Sequence, residues 1–205
     1  MIGLRWRSRA VAGLSAFFLW LSPASAAAGG ERVLIHTSAG DIVVALATRQ
    51  APVTTANFLA YVDQKRFDGT EFYRAARTQG APERGFIQGG IRHSFRRMLN
   101  PIAHEPTTKT GLRHLDATIS MARDAPGTAM GDFFIAVGDL PSMDADPRNP
   151  TEDPGFAAFG KVVKGMPVVR HILAAPTIPR AGREGMKNQI LVEPVRIITA
   201  RRLPR

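Results

Sequence analysis

Apolar and polar positions alternate through "RVLIHT" and again through "DIVVAL", with Ser38-Ala39-Gly40-Asp41 between the two runs. Period-two alternation on either side of a turn signal predicts a β-hairpin. The period then changes. Across "APVTTANFLAYVDQKRF", Val53, Ala56, Phe58, Leu59, Tyr61 and Val62 recur at helical spacing, and Pro52 suits a first helical turn. Asp68-Gly69 marks a turn. "TEFYRA" and "GFIQGG" read as short strands on either side of a polar detour over residues 77–84. From Arg92 to His114 the chain is polar and broken by Asn100-Pro101, Glu105-Pro106 and Gly111, which predicts loop. "DATISMAR", "GDFFIAVG" and "FAAFGKVVKG" read as strands. The acidic, proline-rich "DLPSMDADPRNPTEDPG" reads as a surface loop, and "MPVVRHILAA" as a short helix. "NQILVEPVRIITARRL" closes the chain as one strand or a bulged pair. About eight short strands with one early and one late helix fit a barrel or a sandwich. A closed barrel with a helix over each end is the more economical, because closure leaves no exposed edge.

The first 26 residues stand apart from this pattern. Arg5, Arg7 and Arg9 precede an apolar run from about Ala10 to Leu21; Pro23 breaks it, and Ala24-Ser25-Ala26 follows. That is the layout of a secretory signal peptide cleaved after Ala26. The apolar run is shorter than the ~20 residues of a spanning helix, which argues against the alternative of a retained anchor. The expectation is therefore a leader at 1–26 and one domain at 27–205, exported to a bacterial periplasm with no stable membrane insertion once the leader is removed. The chain has no cysteine, which excludes thiol catalysis and cysteine metal sites. Its net charge is +10, about +7 without the leader, but the arginines are scattered and few aromatics lie among them. A solvated basic surface is expected rather than a nucleic-acid site.

Six segments then arrive in one order: "TSAGDIVVAL", "APVTTANFLAYV", "DGTEFYRA", "GFIQGG", "ISMARDAPGTAMGDFFI" and "FAAFGKVVKGMPVV". In this order the chain, from about Val33 to Ile198, resembles the cyclophilin-type peptidyl-prolyl cis-trans isomerases. The resemblance implies a mainly β fold: a closed eight-stranded antiparallel barrel capped by two α-helices. It implies isomerisation of X–Pro bonds without a cofactor, proline-containing unfolded or exported polypeptides as partners, and a monomer. Arg74 corresponds to the catalytic arginine and Gln88 to the active-site glutamine. Phe86, Ala122, Arg123, Asp132, Phe134, Met143 and Phe156 correspond to the substrate-binding positions. Several features depart from the family pattern, among them the extra length of "RTQGAPER" between Arg74 and the next strand and Arg123 where an asparagine is common. Tyr73 stands where histidine is usual, and Asp132 replaces a glutamine. Phe86 lies two residues before Gln88 rather than three. The late-loop tryptophan is missing, with Ser142-Met143-Asp144 in its region.

One arginine suffices for this chemistry in principle. Rotation about X–Pro breaks no σ bond, and its barrier of ~18–20 kcal/mol is lost amide resonance. At the twisted geometry the proline nitrogen carries a localised lone pair. A fixed guanidinium aimed there favours that geometry over either planar form. Gln88 and the Ala122 backbone would hold the flanking carbonyl. Asp132 introduces a conflict, since its carboxylate could pair with Arg74, unless Arg123 neutralises it.

Without the resemblance, Arg74 reads as a surface residue, Gln88-Gly89-Gly90 as a bulge, and Phe72, Phe86, Phe133 and Phe134 as strand positions of which some are core. The five histidines show no metal-ligand spacing and read as scattered surface residues. Asp144, Asp146, Glu152 and Asp153 read as a solvated acidic loop rather than a calcium site. Two other functions stay open: a proline-segment binding or chaperone module with weak catalysis, and a small-ligand carrier with an apolar interior.

Overall fold

The computed structural model describes residues 30–204, apart from positions 93, 150 and 183. The leader at 1–26 lies outside the described residues. Eight strands form one closed barrel: β1 (Arg32–Thr37), β2 (Gly40–Leu46), β3 (Thr70–Thr78), β4 (Ala81–Gly90), β5 (Thr118–Met121), β6 (Phe133–Val137), β7 (Ala157–Lys164) and β8 (Ile190–Arg202). Their order around the wall is β1-β2-β7-β5-β6-β4-β3-β8, and the pairings are antiparallel. Helices α1 (Pro52–Asp63) and α3 (Met166–Ala174) close the two ends. A single helical turn, α2 (Thr107–Thr110), interrupts the loop-rich stretch.

The interior is solid. From α1, Phe58 packs within 5.1–5.4 Å, centroid to centroid, of Phe67, Phe133 and Phe159, and Tyr61 stacks on Phe67. Val169, Ile172 and Leu173 plug the end under α3. A filled interior excludes the small-ligand carrier.

Helix α1 is rotated from the face its apolar spacing predicts. Val53 and Ala56 face solvent, whereas Thr54, Thr55 and Asn57 are buried. The reason is polar. Glu105, itself buried, accepts the N–H groups of Val53 and Thr54 and the Thr54 hydroxyl, so a distant carboxylate caps a helix that has no capping side chain of its own. Asn57 donates to the Met130 carbonyl.

The 77–84 detour is not a loop. β3 and β4 run on through it and turn at Gln79-Gly80, where Gly80 takes φ +78°. Arg77 donates to the Leu173 and Ala175 carbonyls at the end of α3, and Arg84 to the Asp139 carbonyl. The extension therefore binds the α3 end of the barrel, and none of its residues lines the groove described below. β8 is one bulged strand: between partners Val195 and Ile190 it slips past β3, and Pro194, which has no N–H to give, sits in the slip.

Candidate active site

Register builds the site. Arg74 on β3 pairs with Gln88 on β4, Gln88 with Phe134 on β6, and Phe134 with Ser120 on β5. Four residues thus form one row across four neighbouring strands. Alternation sorts the side chains in this region: Phe72, Phe133, Ile87 and Ile135 point into the core, while Phe86, Gln88 and Phe134 belong to the outer face.

On that face lies a groove of about 500 Å³. All nine residues singled out from the sequence line it: Arg74 and Gln88; the apolar Phe86, Phe134, Met143 and Phe156; and Ala122, Arg123 and Asp132. The Phe86 and Phe134 rings lie 5.1 Å apart, and Phe156 meets Phe134 edge-on at 5.5 Å. The two-residue spacing to Gln88 therefore still delivers Phe86 to the groove. Met143 ends a 3-10 turn over Pro141–Met143 and walls the region of the missing tryptophan.

The half-buried Arg74 is held on several sides. Its Nη1 donates to Gln88 Oε1 at 2.8 Å, its Nε to Gln189 Oε1 at 2.8 Å, and its Nη2 to the Gly185 carbonyl at 3.1 Å; the guanidinium lies 5.0 Å from the Phe86 ring centre. Gln88 passes the polarity on. Its Nε2 donates to the Tyr73 hydroxyl at 2.7 Å, and that hydroxyl donates to Asp132 Oδ1 at 3.4 Å. Asp132 also accepts the Arg92 N–H at 3.0 Å. Each donor therefore points one way, from Arg74 through Gln88 and Tyr73 to Asp132. This direction fixes which end of the Gln88 amide faces the arginine. Burial raises the Tyr73 pKa well above the usual tyrosine value, and the Asp132 charge adds to the rise, so the phenol keeps its proton.

Two sequence expectations are corrected here. Arg123 turns to the Asp124 and Gly155 carbonyls and lies 4.9 Å over the Phe156 ring, so its hydrogen bonds go to the groove rim rather than to Asp132. The Ala122 N–H donates to the Asp132 carbonyl at 2.9 Å, so this N–H is engaged within the fold rather than held ready for a further carbonyl.

The sequence reading gave no part to Gln189 and Gly185, which reach Arg74 across more than a hundred residues, and noted Tyr73 only as a departure. Nor are all the histidines surface groups. His114 is 1% exposed beneath Phe134. His104 is half-buried against the Pro154 carbonyl. Of the acidic loop residues, Asp144 turns inward to His114, Asp146 pairs with Arg148, and Glu152 accepts from Asn149.

The family model described as "Cyclophilin type peptidyl-prolyl cis-trans isomerase/CLD" matches residues 32–202. The chain belongs to this family. As a cyclophilin-type enzyme, it shares 41% identity over 162 residues with "Peptidyl-prolyl cis-trans isomerase A" of Dickeya dadantii, a match covering 76% of this chain and 78% of the relative. It shares 32% over 171 residues with "Peptidyl-prolyl cis-trans isomerase B" of Escherichia coli, covering 80% and 98%. A crystal structure of a cyclophilin-type isomerase from Cryptosporidium parvum, solved in the presence of the dipeptide Ala-Pro, superposes with a TM-score of 0.65 at 20% identity. That match covers 85% of this chain and 99% of the other, a likeness of fold. Among the described residues, no group of three or more His, Asp or Glu side chains is arranged to hold a metal ion.

Proposed function

We propose that this cyclophilin-type isomerase turns X–Pro bonds in exported polypeptides as they fold, with Arg74 as the donor to the twisted proline nitrogen. The observation that carries this reading is a guanidinium held in place beside an apolar slot walled by Phe86, Phe134, Met143 and Phe156. The proline ring occupies the slot. Gln88 has a second amide N–H for the client carbonyl, and the Ala122 carbonyl accepts a client N–H.

Magnitudes support a shared task. A 20 kcal/mol barrier permits ~0.01 turnovers per second, and ~10³ per second needs about 7 kcal/mol less. One preorganised charged donor supplies ~3–4 kcal/mol. Holding the ring and both flanking peptide groups in the reactive orientation accounts for the rest.

The test is Arg74→Ala in a protease-free isomerisation assay on a short proline peptide. Its kcat falls about 10²- to 10³-fold, by analogy with removal of an oxyanion-hole donor, while the thermal melt stays in place. An unchanged rate removes Arg74 from its role. A second reading has its own support: Gly185 and Gln189 both take donors from Arg74. On that reading the protein holds proline segments and turns them slowly. It predicts tight peptide binding with a small difference between wild type and Arg74→Ala.

Export rests on the leader sequence. Cleavage after Ala26 gives a mature periplasmic monomer that begins at Ala27. N-terminal sequencing of the protein from a periplasmic extract, with its mass in solution, tests both points.

A further inference from the structure

Behind the apolar slot lies a buried polar cluster that the reaction does not use. His114 Nδ1 lies 2.7 Å from Asp144 Oδ1, and Nε2 lies 2.9 Å from Ser120 Oγ. The ring is parallel to Phe134, 13° between planes with centroids 5.7 Å apart. Serine, histidine and aspartate in this order invite a nucleophilic reading, but Ser120 is fully buried and His114 nearly so, and neither lines the groove. No substrate carbonyl reaches Ser120, so its hydroxyl is a structural partner.

What the cluster touches is more informative. His114 does not line the groove, so its ring covers Phe134 from the protein side. Its backbone holds the turn that carries Met143: the Leu140 N–H donates to the His114 carbonyl at 2.7 Å, and the His114 N–H donates to Asp144 Oδ1 at 2.9 Å. Between those two anchors run Pro141, Ser142 and Met143. The Met143 carbonyl in turn accepts the Phe156 N–H at 2.8 Å. Three of the four apolar walls are thus referred to one imidazole: Phe134 by stacking, Met143 through the turn, and Phe156 through Met143.

We infer that His114 is a positioning residue of the proline slot, setting the separation of Phe134 and Met143 by stacking on one and tethering the other through Asp144. The inference rests on the proposed reading of the groove as the proline site. It gives the turn without a tryptophan its source of rigidity.

The hydrogen bonds assign the tautomer. Asp144 needs a donor, so Nδ1 carries the proton, and Nε2 accepts from the Ser120 hydroxyl. The charged group facing the imidazole is Asp144, with Arg113 on its far side at 3.6 Å. β5 and β6 present Ser120 and Phe134, neither of them charged, and β7 places Ala158 opposite Ser120. Burial lowers the His114 pKa against the opposing pull of Asp144, so the ring is neutral at neutral pH. Acid below the ordinary histidine range of about 6.5 forces a second proton onto Nε2. The Ser120 hydroxyl must then reverse, and a cation stands behind Phe134.

The test compares KM and kcat for a short proline peptide in wild type, His114→Ala, His114→Asn and His114→Phe, with melts to establish folding. His114→Ala raises KM about tenfold with kcat within about twofold, because the Arg74 end is untouched. Asn restores a donor to Asp144 and Phe restores the stacked ring, so each recovers part of the loss. A merely structural residue would lower kcat in proportion to the unfolded fraction and leave KM alone. Folded variants whose KM stays at the wild-type value overturn the inference. If the variants do not fold, wild type decides: the Met143 methyl resonance moves in step with the imidazole signals of His114 as pH is lowered from 7.5 until that ring titrates. A Met143 signal that stays fixed while His114 titrates overturns it. An unchanged kcat in Arg74→Ala overturns the parent reading of the site instead, and the Met143 titration remains legible without peptide.

Discussion

Tyr73 joins two of the departures from the family pattern into one device. Its hydroxyl accepts from Gln88 and donates to Asp132, so a tyrosine in place of histidine and an aspartate in place of glutamine complement each other. Tyr73→Phe deprives the Gln88 Nε2 donor of its acceptor and Asp132 of one donor. The expected loss is about 1–3 kcal/mol of stability, read by denaturant titration. A fall in kcat accompanies it, because the Gln88 amide is no longer fixed against Arg74. Retained kcat and stability in this variant would remove the relay from any role in orienting the arginine. At this scale, motif order made Arg74, Gln88, Phe134 and Ala122 legible in the sequence. Gln189 and Gly185 were not, because nothing local marks a side-chain amide or a backbone carbonyl whose partner lies more than a hundred positions away. His114 was equally hidden: its polar neighbourhood in sequence reads as surface, and only the β5–β6 register brings Ser120 and Phe134 to it.

Among the elements, the long β3–β4 hairpin separates what pattern can reveal from what it cannot. Strand alternation is visible where one face meets a core. Over residues 77–84 the side chains are mostly exposed, so no apolar alternation marks the continued pairing. The hairpin instead serves α3, whose last carbonyls receive the Arg77 guanidinium. Arg77→Ala should cost about 1 kcal/mol through loss of that cationic cap, with KM and kcat unchanged, since no residue of the extension lines the groove. The Glu105 cap is the counterpart at α1. Glu105→Ala strands two backbone N–H groups and a threonine hydroxyl in the interior, and a destabilisation of about 2–3 kcal/mol is expected. Equilibrium unfolding in urea measures both. The apolar spacing that located α1 gave its extent but not its rotation, because buried Thr54, Thr55 and Asn57 carry a polar periodicity that hydrophobicity does not register.

For the molecule as a whole, stability should fall in two steps as the solution is acidified. His104 and His114 have lowered pKa values, chiefly through burial. The unfolded chain then takes up protons more readily, so the stability these groups lend is complete above their ordinary value of about 6.5 and declines below it. Asp63 and Asp68 are lowered by hydrogen bonds from Arg202 and Arg201, which tie β8 to α1 and to the turn before β3. Their contribution persists above about pH 3.8 and is lost as pH falls through their folded values. Urea midpoints measured from pH 8 to 3 should show both declines, and His114→Asn should shrink the upper one. The barrel that carries these groups is packed through its middle, with its groove on the outer wall. On the proposed reading of the groove, a chain is taken up at an internal proline while both of its ends stay attached elsewhere, to a membrane or a half-formed domain. Neither threading nor opening of the barrel is needed.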